Sequence, residues 1–312
     1  ALAQKAGRRL ILCGDPKQAI YGFAGADADS MPRMERILSA DPRGCVHLPL
    51  TVTRRCGRAI VAEAKRYVPD FESHETCPEG AVVRMRFKPV ASDGDCPKSK
   101  DGAHFYHQTY GSGKPPTCLA CGCILDETPN YIDSVRDGDM ILCRCNAPLV
   151  SQCFRFLKAG RKAYIQGRKI GDGLVSLVER QKVDTVEQLL PKLEAWLAAE
   201  QRKENAKRHP SEARLIAVQD RHDCLISFCE GESHVAAVVA VIKAVFSDAS
   251  AGIRLSSIHR AKGLEADRVF FLMPKEAPCP HPMAKSAWER EQEANLCYVA
   301  VTRAIRELVY VS

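Results

Sequence analysis

The chain has no apolar run approaching the length of a membrane span, and its opening residues, ALAQKAGRRL, lack the apolar core of a signal peptide. Neither a membrane helix nor a leader is expected from these residues. Charge of one sign is also scarce. The 45 Lys and Arg against 38 Asp and Glu leave a net charge of +7 over 312 residues, which suits a nucleic-acid partner without requiring one. No internal repeat is apparent. Cysteine, by contrast, is plentiful, at 15 residues. A secreted chain would use such a number as a disulfide scaffold, but these cysteines are scattered through apolar stretches such as Leu12-Cys13 and Leu142-Cys143. Buried free thiols in a reducing, cytoplasmic compartment are the expectation, with a metal site for a few. The length permits two or three domains with proper cores.

The densest stretch is LCGDPKQAIYGFAGAD, Leu12 to Asp27. Apolar Leu10 to Leu12 predicts a buried strand that Gly14 and Asp15 end, placing the Gln18 amide where it can touch a phosphate. Tyr21 and Phe23 follow on a glycine-rich loop, and rings so placed can stack on unpaired bases, each contact worth about 1–3 kcal/mol.

Four further blocks stand in order behind it: LTVTRRCGRAI at 50–60, GDMILCRCNAPLV at 138–150, IRLSSIHRAKGLEADRVFF at 253–271 and EQEANLCYVAVTRA at 291–304. In this order the five blocks resemble motif III, motif IV, the strand after it, motif V and motif VI of the UvrD/Rep family of superfamily 1 DNA helicases. The resemblance touches both ends and the middle of the chain.

Such a helicase also needs a Gly-x4-Gly-Lys-Ser/Thr loop for the triphosphate and an Asp-Glu pair for magnesium. Neither precedes Leu12. Two imitations fail: Gly111-Ser112-Gly113-Lys114 has Gln108 in place of the first glycine and Pro115 in place of the hydroxyl residue, and Ile124-Leu125-Asp126-Glu127 follows motif III instead of preceding it. The resemblance therefore implies the C-terminal part of a helicase, with roughly two hundred leading residues absent. The chain as given is expected not to hydrolyse ATP alone.

The family's site residues carry over by motif. Arg55 and Arg303 match arginines that reach the γ-phosphate, where a guanidinium is worth about 10³–10⁵ in rate. Gln18 matches the γ-phosphate sensor. Glu265 matches the acceptor of a ribose hydrogen bond, with Gly263 beside it, and Arg54 stands where a tyrosine commonly stacks on adenine; a guanidinium can also stack there. Tyr21, Phe23, His259 and Lys262 match positions at or near the bound strand. Ala24 replaces an arginine that the family often has, a change expected to weaken strand binding.

The resemblance implies an α/β, RecA-like P-loop NTPase fold. Residues 1–40, with a helix around Met34 to Leu38, would end a first RecA-like domain. The second would comprise 41–86, 137–166 and 233–312, interrupted at 87–136 by a Cys/His-containing insert and at 167–232 by a small helical insertion. Apolar periodicity predicts strands at Val46 to Leu50 and Met140 to Cys143. It predicts helices at Arg58 to Val68, Gln152 to Lys158, Leu174 to Glu179, Val186 to Glu200 and Val235 to Phe246. The charged run EQRKENAKRHPSE reads as a solvated helix end. In the first insert, Cys118 and Cys121 form a CxxC knuckle and His104 and His107 an HxxH pair, a set that can bind Zn²⁺, with Cys96 and Cys123 as spares. A metal-free insert remains the alternative.

The implied activity is ATP-dependent, 3′ to 5′ translocation on single-stranded DNA and at duplex junctions, using ATP with Mg²⁺. A non-catalytic nucleic-acid-binding remnant is the alternative from a different class. A helicase fused to a nuclease is a third, and nothing in these residues shows the nuclease.

Overall fold

Met140–Cys143 is apolar at every position, as a strand must be when both its faces are covered. In the computed structural model it is wholly buried: Ile141 and Cys143 enter one core, Met140 and Leu142 the other. The structure describes residues 11–21, 29–40, 45–85, 131–208, 210–247, 251–275 and 277–312, and the backbone of two short strands at 106–107 and 117–118.

In chain order the strands are β1 (Val52–Thr53), β2 (Glu72–Ser73), β3 (Ala81–Met85), β4 (Tyr106–His107), β5 (Thr117–Cys118), β6 (Met140–Cys143), β7 (Ala163–Gln166), β8 (Phe246–Ser247), β9 (Ile253–Ser257), β10 (Ala266–Leu272) and β11 (Ala304–Val311). Seven form one sheet in the order β3-β11-β10-β6-β9-β7-β8, with every neighbouring pair parallel. Its register sets Val269 opposite Met140 and Met140 opposite Arg254.

The helices are α1 (Ser30–Ser39), α2 (Arg58–Ala64), α3 (Tyr131–Ser134), α4 (Ala147–Lys158), α5 (Arg168–Glu179), α6 (Val186–Asn205), α7 (Glu212–Cys229), α8 (Val235–Val245), α9 (Ile258–Ala261) and α10 (Ala287–Val301). One face of the sheet is covered by α3 to α8, whose Phe156, Val178, Leu193, Phe228 and Ile242 share its core. The other is covered by α2, α9 and α10 through Ile60, Ala261, Leu296 and Val299. A parallel sheet covered on both faces is the α/β architecture.

Helix ends follow local chemistry. Ser286 and Glu289 form a reciprocal capping box at the start of α10. Helix α4 has no cap of its own; Asp220 of α7 accepts from Asn146 N at 2.7 Å, Ala147 N at 2.8 Å and Asn146 Nδ2 at 2.8 Å. Burial pushes the Asp220 carboxyl up from its ordinary range, against the pull of those three donors.

Among the described residues, two predicted strands do not form, Leu10 of the first lying outside them. Residues 11–15 and 45–50 are irregular, with Ile11 94% exposed and Leu50 89% exposed, and Cys13 lies at the surface instead of in a core. An apolar run becomes a strand only where a neighbour completes its hydrogen-bond ladder, and no such pairing occurs there among the described residues. Helix α2 stops at Ala64, four residues short, although Tyr67 and Val68 still pack on its core from the following turn. Helix α4 starts at Ala147 instead of Gln152, and α6 runs on to Asn205. Among the described residues no helix is long and apolar enough to cross a membrane.

Candidate functional site

Glu265 immediately precedes β10 and Arg303 immediately precedes β11. These strands are neighbours, and Ala266 N donates to Arg303 O at 3.1 Å, so the two residues stand side by side at the starting edge of the sheet. Gly57 N donates to Ile305 O at 2.8 Å and brings the 54–57 bend to the same edge. Arg55 reaches Glu265 at 3.4 Å, both partly exposed. Arg54 turns to His74, with Nη1 and Nδ1 3.3 Å apart.

Arg303 is only 1% exposed, yet its guanidinium meets neutral oxygens: Nε donates to Val299 O at 2.9 Å, Nη1 to Leu264 O at 3.1 Å and Nη2 to Thr302 Oγ1 at 3.1 Å. Burial, then the nearby Arg55 charge, hold its pKa below the ordinary value. Two guanidiniums at one edge, one of them buried without a carboxylate of its own, make a site that an anion would stabilise.

A second cluster gathers around Tyr21. Its hydroxyl donates to His259 O at 2.6 Å, and the two rings lie 6.0 Å apart. Lys262 Nζ sits 5.7 Å from the centre of the Tyr21 ring and donates to Gln18 O at 2.8 Å. Burial, and secondarily the charge of Arg144, push the His259 imidazole down to about 3, so it is neutral at physiological pH. The Gln18 side chain donates to Asp15 Oδ2 at 2.8 Å.

Residues 262–265 join the two clusters. Lys262 touches Gln18, Leu264 O accepts from Arg303, and Glu265 meets Arg55. Gly263 takes a φ of +89°, which favours glycine, at the turn of this segment. The described residues thus bring together Gln18, Tyr21, His259, Lys262, Gly263, Glu265, Arg55 and Arg303, leaving Arg54 beside His74. Phe23, His104 and Cys121 lie outside the described residues. Of His107 and Cys118 only the backbone is described, in an antiparallel pair setting Tyr106 opposite Cys118 and His107 opposite Thr117. Among the described residues no group of three or more His, Cys, Asp or Glu could hold a metal.

Residues 176–312, which contain His259, Lys262, Gly263, Glu265 and Arg303, match the family described as the UvrD-like helicase C-terminal domain. This part of the chain is a UvrD-like helicase C-terminal domain. Over 69 residues the chain is 41% identical to the ATP-dependent DNA helicase PcrA of Staphylococcus epidermidis and 38% identical to that of Staphylococcus aureus. Those residues are 21% of this chain and 9% of either relative, so the matched stretch spans under a tenth of the length of these curated relatives. The C-terminal domain of a "possible DNA helicase" from Lactobacillus plantarum matches 56% of this chain and 72% of that one, at 18% identity and a TM-score of 0.15, a likeness too low to inform the fold.

Sequence reasoning missed how the UvrD-like domain holds the 16–20 segment. Asn295 of α10, 2% exposed, directs Nδ2 at Pro16 O and Ala19 O, each at 3.4 Å. Ile20 packs in the same core as Leu296, and Lys17 pairs with Glu291 at 3.0 Å. The available signal was a polar Asn295 at the head of the apolar run 296–301. Its partners could not be named without the fold.

Proposed function

We propose that this chain is the C-terminal part of an ATP-dependent DNA translocase of the UvrD-like type, moving 3′ to 5′ on single-stranded DNA. In this reading the parallel sheet is the second RecA-like domain, residues 1–40 end a first, and 167–232 are a helical insertion. The observation that carries the proposal is the buried Arg303 guanidinium, paired with no carboxylate, beside Arg55 and joined through 262–265 to the Tyr21 cluster.

These residues fit the γ-phosphate end of ATP. Arg303 is preorganised by three hydrogen bonds, so little reorganisation is needed when negative charge develops on a phosphoryl group in transfer. Arg55 would exchange Glu265 for a phosphate oxygen, freeing that carboxylate for a ribose hydroxyl, while Arg54 offers a planar cation to the base. Gln18 would leave Asp15 to meet the phosphate, and its movement would be felt at Lys262 through the Gln18 carbonyl. Bound ATP with Mg²⁺ supplies the free energy of phosphoryl transfer. Tyr21 offers a ring for an unpaired base and Lys262 a charge for the backbone.

The test is fluorescence anisotropy of labelled oligo(dT) with the 312-residue chain. Binding should be salt-dependent and weaken at least about fivefold in Tyr21→Ala and in Lys262→Ala, a loss within the range of one stacking contact. No binding by the wild-type chain, or equal binding by both variants, refutes the strand site. The proposal extends to Zn²⁺ on His104, His107, Cys118 and Cys121, which the HxxH and CxxC spacing supports. Elemental analysis should find stoichiometric zinc that Cys121→Ala removes.

A further inference from the structure

Arg144 and Glu293 form a buried ion pair with no role in the site as described so far. Arg144 Nε donates to both carboxylate oxygens, at 3.0 and 3.2 Å, and Nη2 to Oε1 at 2.8 Å. The side chains are 9% and 7% exposed. Glu293 Oε2 also accepts from His281 N at 2.9 Å, so the carboxylate is held by the fork and by a backbone donor. Burying two charges contributes little net stability, since desolvation offsets most of their attraction. What a planar guanidinium on a carboxylate provides is a defined geometry.

The pair stands where that geometry matters. Arg144 follows directly on β6, at the middle of the sheet, and Glu293 lies within α10. Two and three residues along, Asn295 and Leu296 of the same helix hold the 16–20 segment, and Arg303 follows two residues after its end. Arg144 also faces His259, whose carbonyl anchors the Tyr21 hydroxyl. Arg144, Glu293, His259, Ile20 and Leu296 line one small cleft.

We propose that the Arg144–Glu293 pair is a positioning device that fixes α10 against the sheet, so that the Tyr21 cluster, reached through the 16–20 segment on the middle of the helix, and Arg303, just past its C-terminal end, keep one mutual register. The functional meaning of that register rests on the strand-binding reading of Tyr21; the positioning itself does not. Removing one partner would strand a buried charge, so the informative variant is Arg144→Met/Glu293→Leu, which replaces both with apolar groups of similar size and should fold.

Hydrogen–deuterium exchange on the 312-residue chain reads the positioning. The double variant should exchange about tenfold faster at 18–21 and 259–264 while β6, β10 and β11 keep wild-type protection. Unchanged protection at 18–21 and 259–264, or uniform loss across the sheet, overturns the proposal, the second outcome marking a merely structural pair. Should the double variant not fold, Arg144→Lys, which keeps the charge and loses the fork, is read in the same way. Oligo(dT) affinity is measured in parallel: a wild-type chain that does not bind refutes the strand reading, while exchange still judges the pair. With binding present, the double variant should raise Kd about tenfold, and an unchanged Kd separates the pair from strand binding.

Discussion

Arg303 is the residue where burial and charge conflict most directly, because its guanidinium is enclosed by neutral oxygens and faces a second arginine. On the proposed translocase reading, Arg303→Lys in the ATP-hydrolysing protein should lower kcat by about 10³, the scale expected of an arginine acting on the transferring phosphoryl group. Its KM should change little. Steady-state phosphate release measures both, and a normal kcat would remove Arg303 from the chemistry. His259 gives a pH prediction. Its folded pKa, about 3, lies below the ordinary 6.5, so the unfolded chain takes up the proton first. This contribution is fully present above pH 6.5 and is lost as pH falls toward 3. At pH 5 the loss is about 1–2 kcal/mol, discounted for the partial exposure of the ring. Urea unfolding at pH 7 and pH 5 should show that loss in the wild type and a smaller one in His259→Asn.

At the scale of elements, α4 depends on a carboxylate from another helix. Asp220→Ala leaves Asn146 N, Ala147 N and Asn146 Nδ2 without their acceptor and should cost about 3 kcal/mol in urea unfolding, against under half of that for Asp220→Asn. Gly263→Ala should cost about 1 kcal/mol, since φ is +89° although open space surrounds the new methyl. Elements with strong periodicity were legible: Met140–Cys143 as a strand, and helices containing 174–179, 186–200 and 235–245. Leu10 to Leu12 and Val46 to Leu50 carry the same local signal and form no strand where described, because a strand depends on a neighbour that its own residues do not specify. The start of α4 was misplaced for a related reason, as its cap comes from Asp220.

Across the whole molecule the net charge is small, so binding to single strands should depend on a few placed cations and not on a general field. For oligo(dT), the slope of log K against log salt should therefore be shallow, and Lys262→Ala should reduce it by about 0.7, the value for one phosphate contact on a single strand. An unchanged slope would place the contact elsewhere. The sequence by itself determined the order of the motif blocks and singled out Gln18, Tyr21, Arg55, His259, Lys262, Glu265 and Arg303 as candidates, because residue type and order along the chain can be read without coordinates. Only the tertiary structure decided that 262–265 links the two clusters, that Asn295 holds the 16–20 segment, and that Arg144 closes on Glu293 from 149 residues away. Side-chain chemistry is local, whereas a buried partner is chosen by packing that brings distant parts of the chain together.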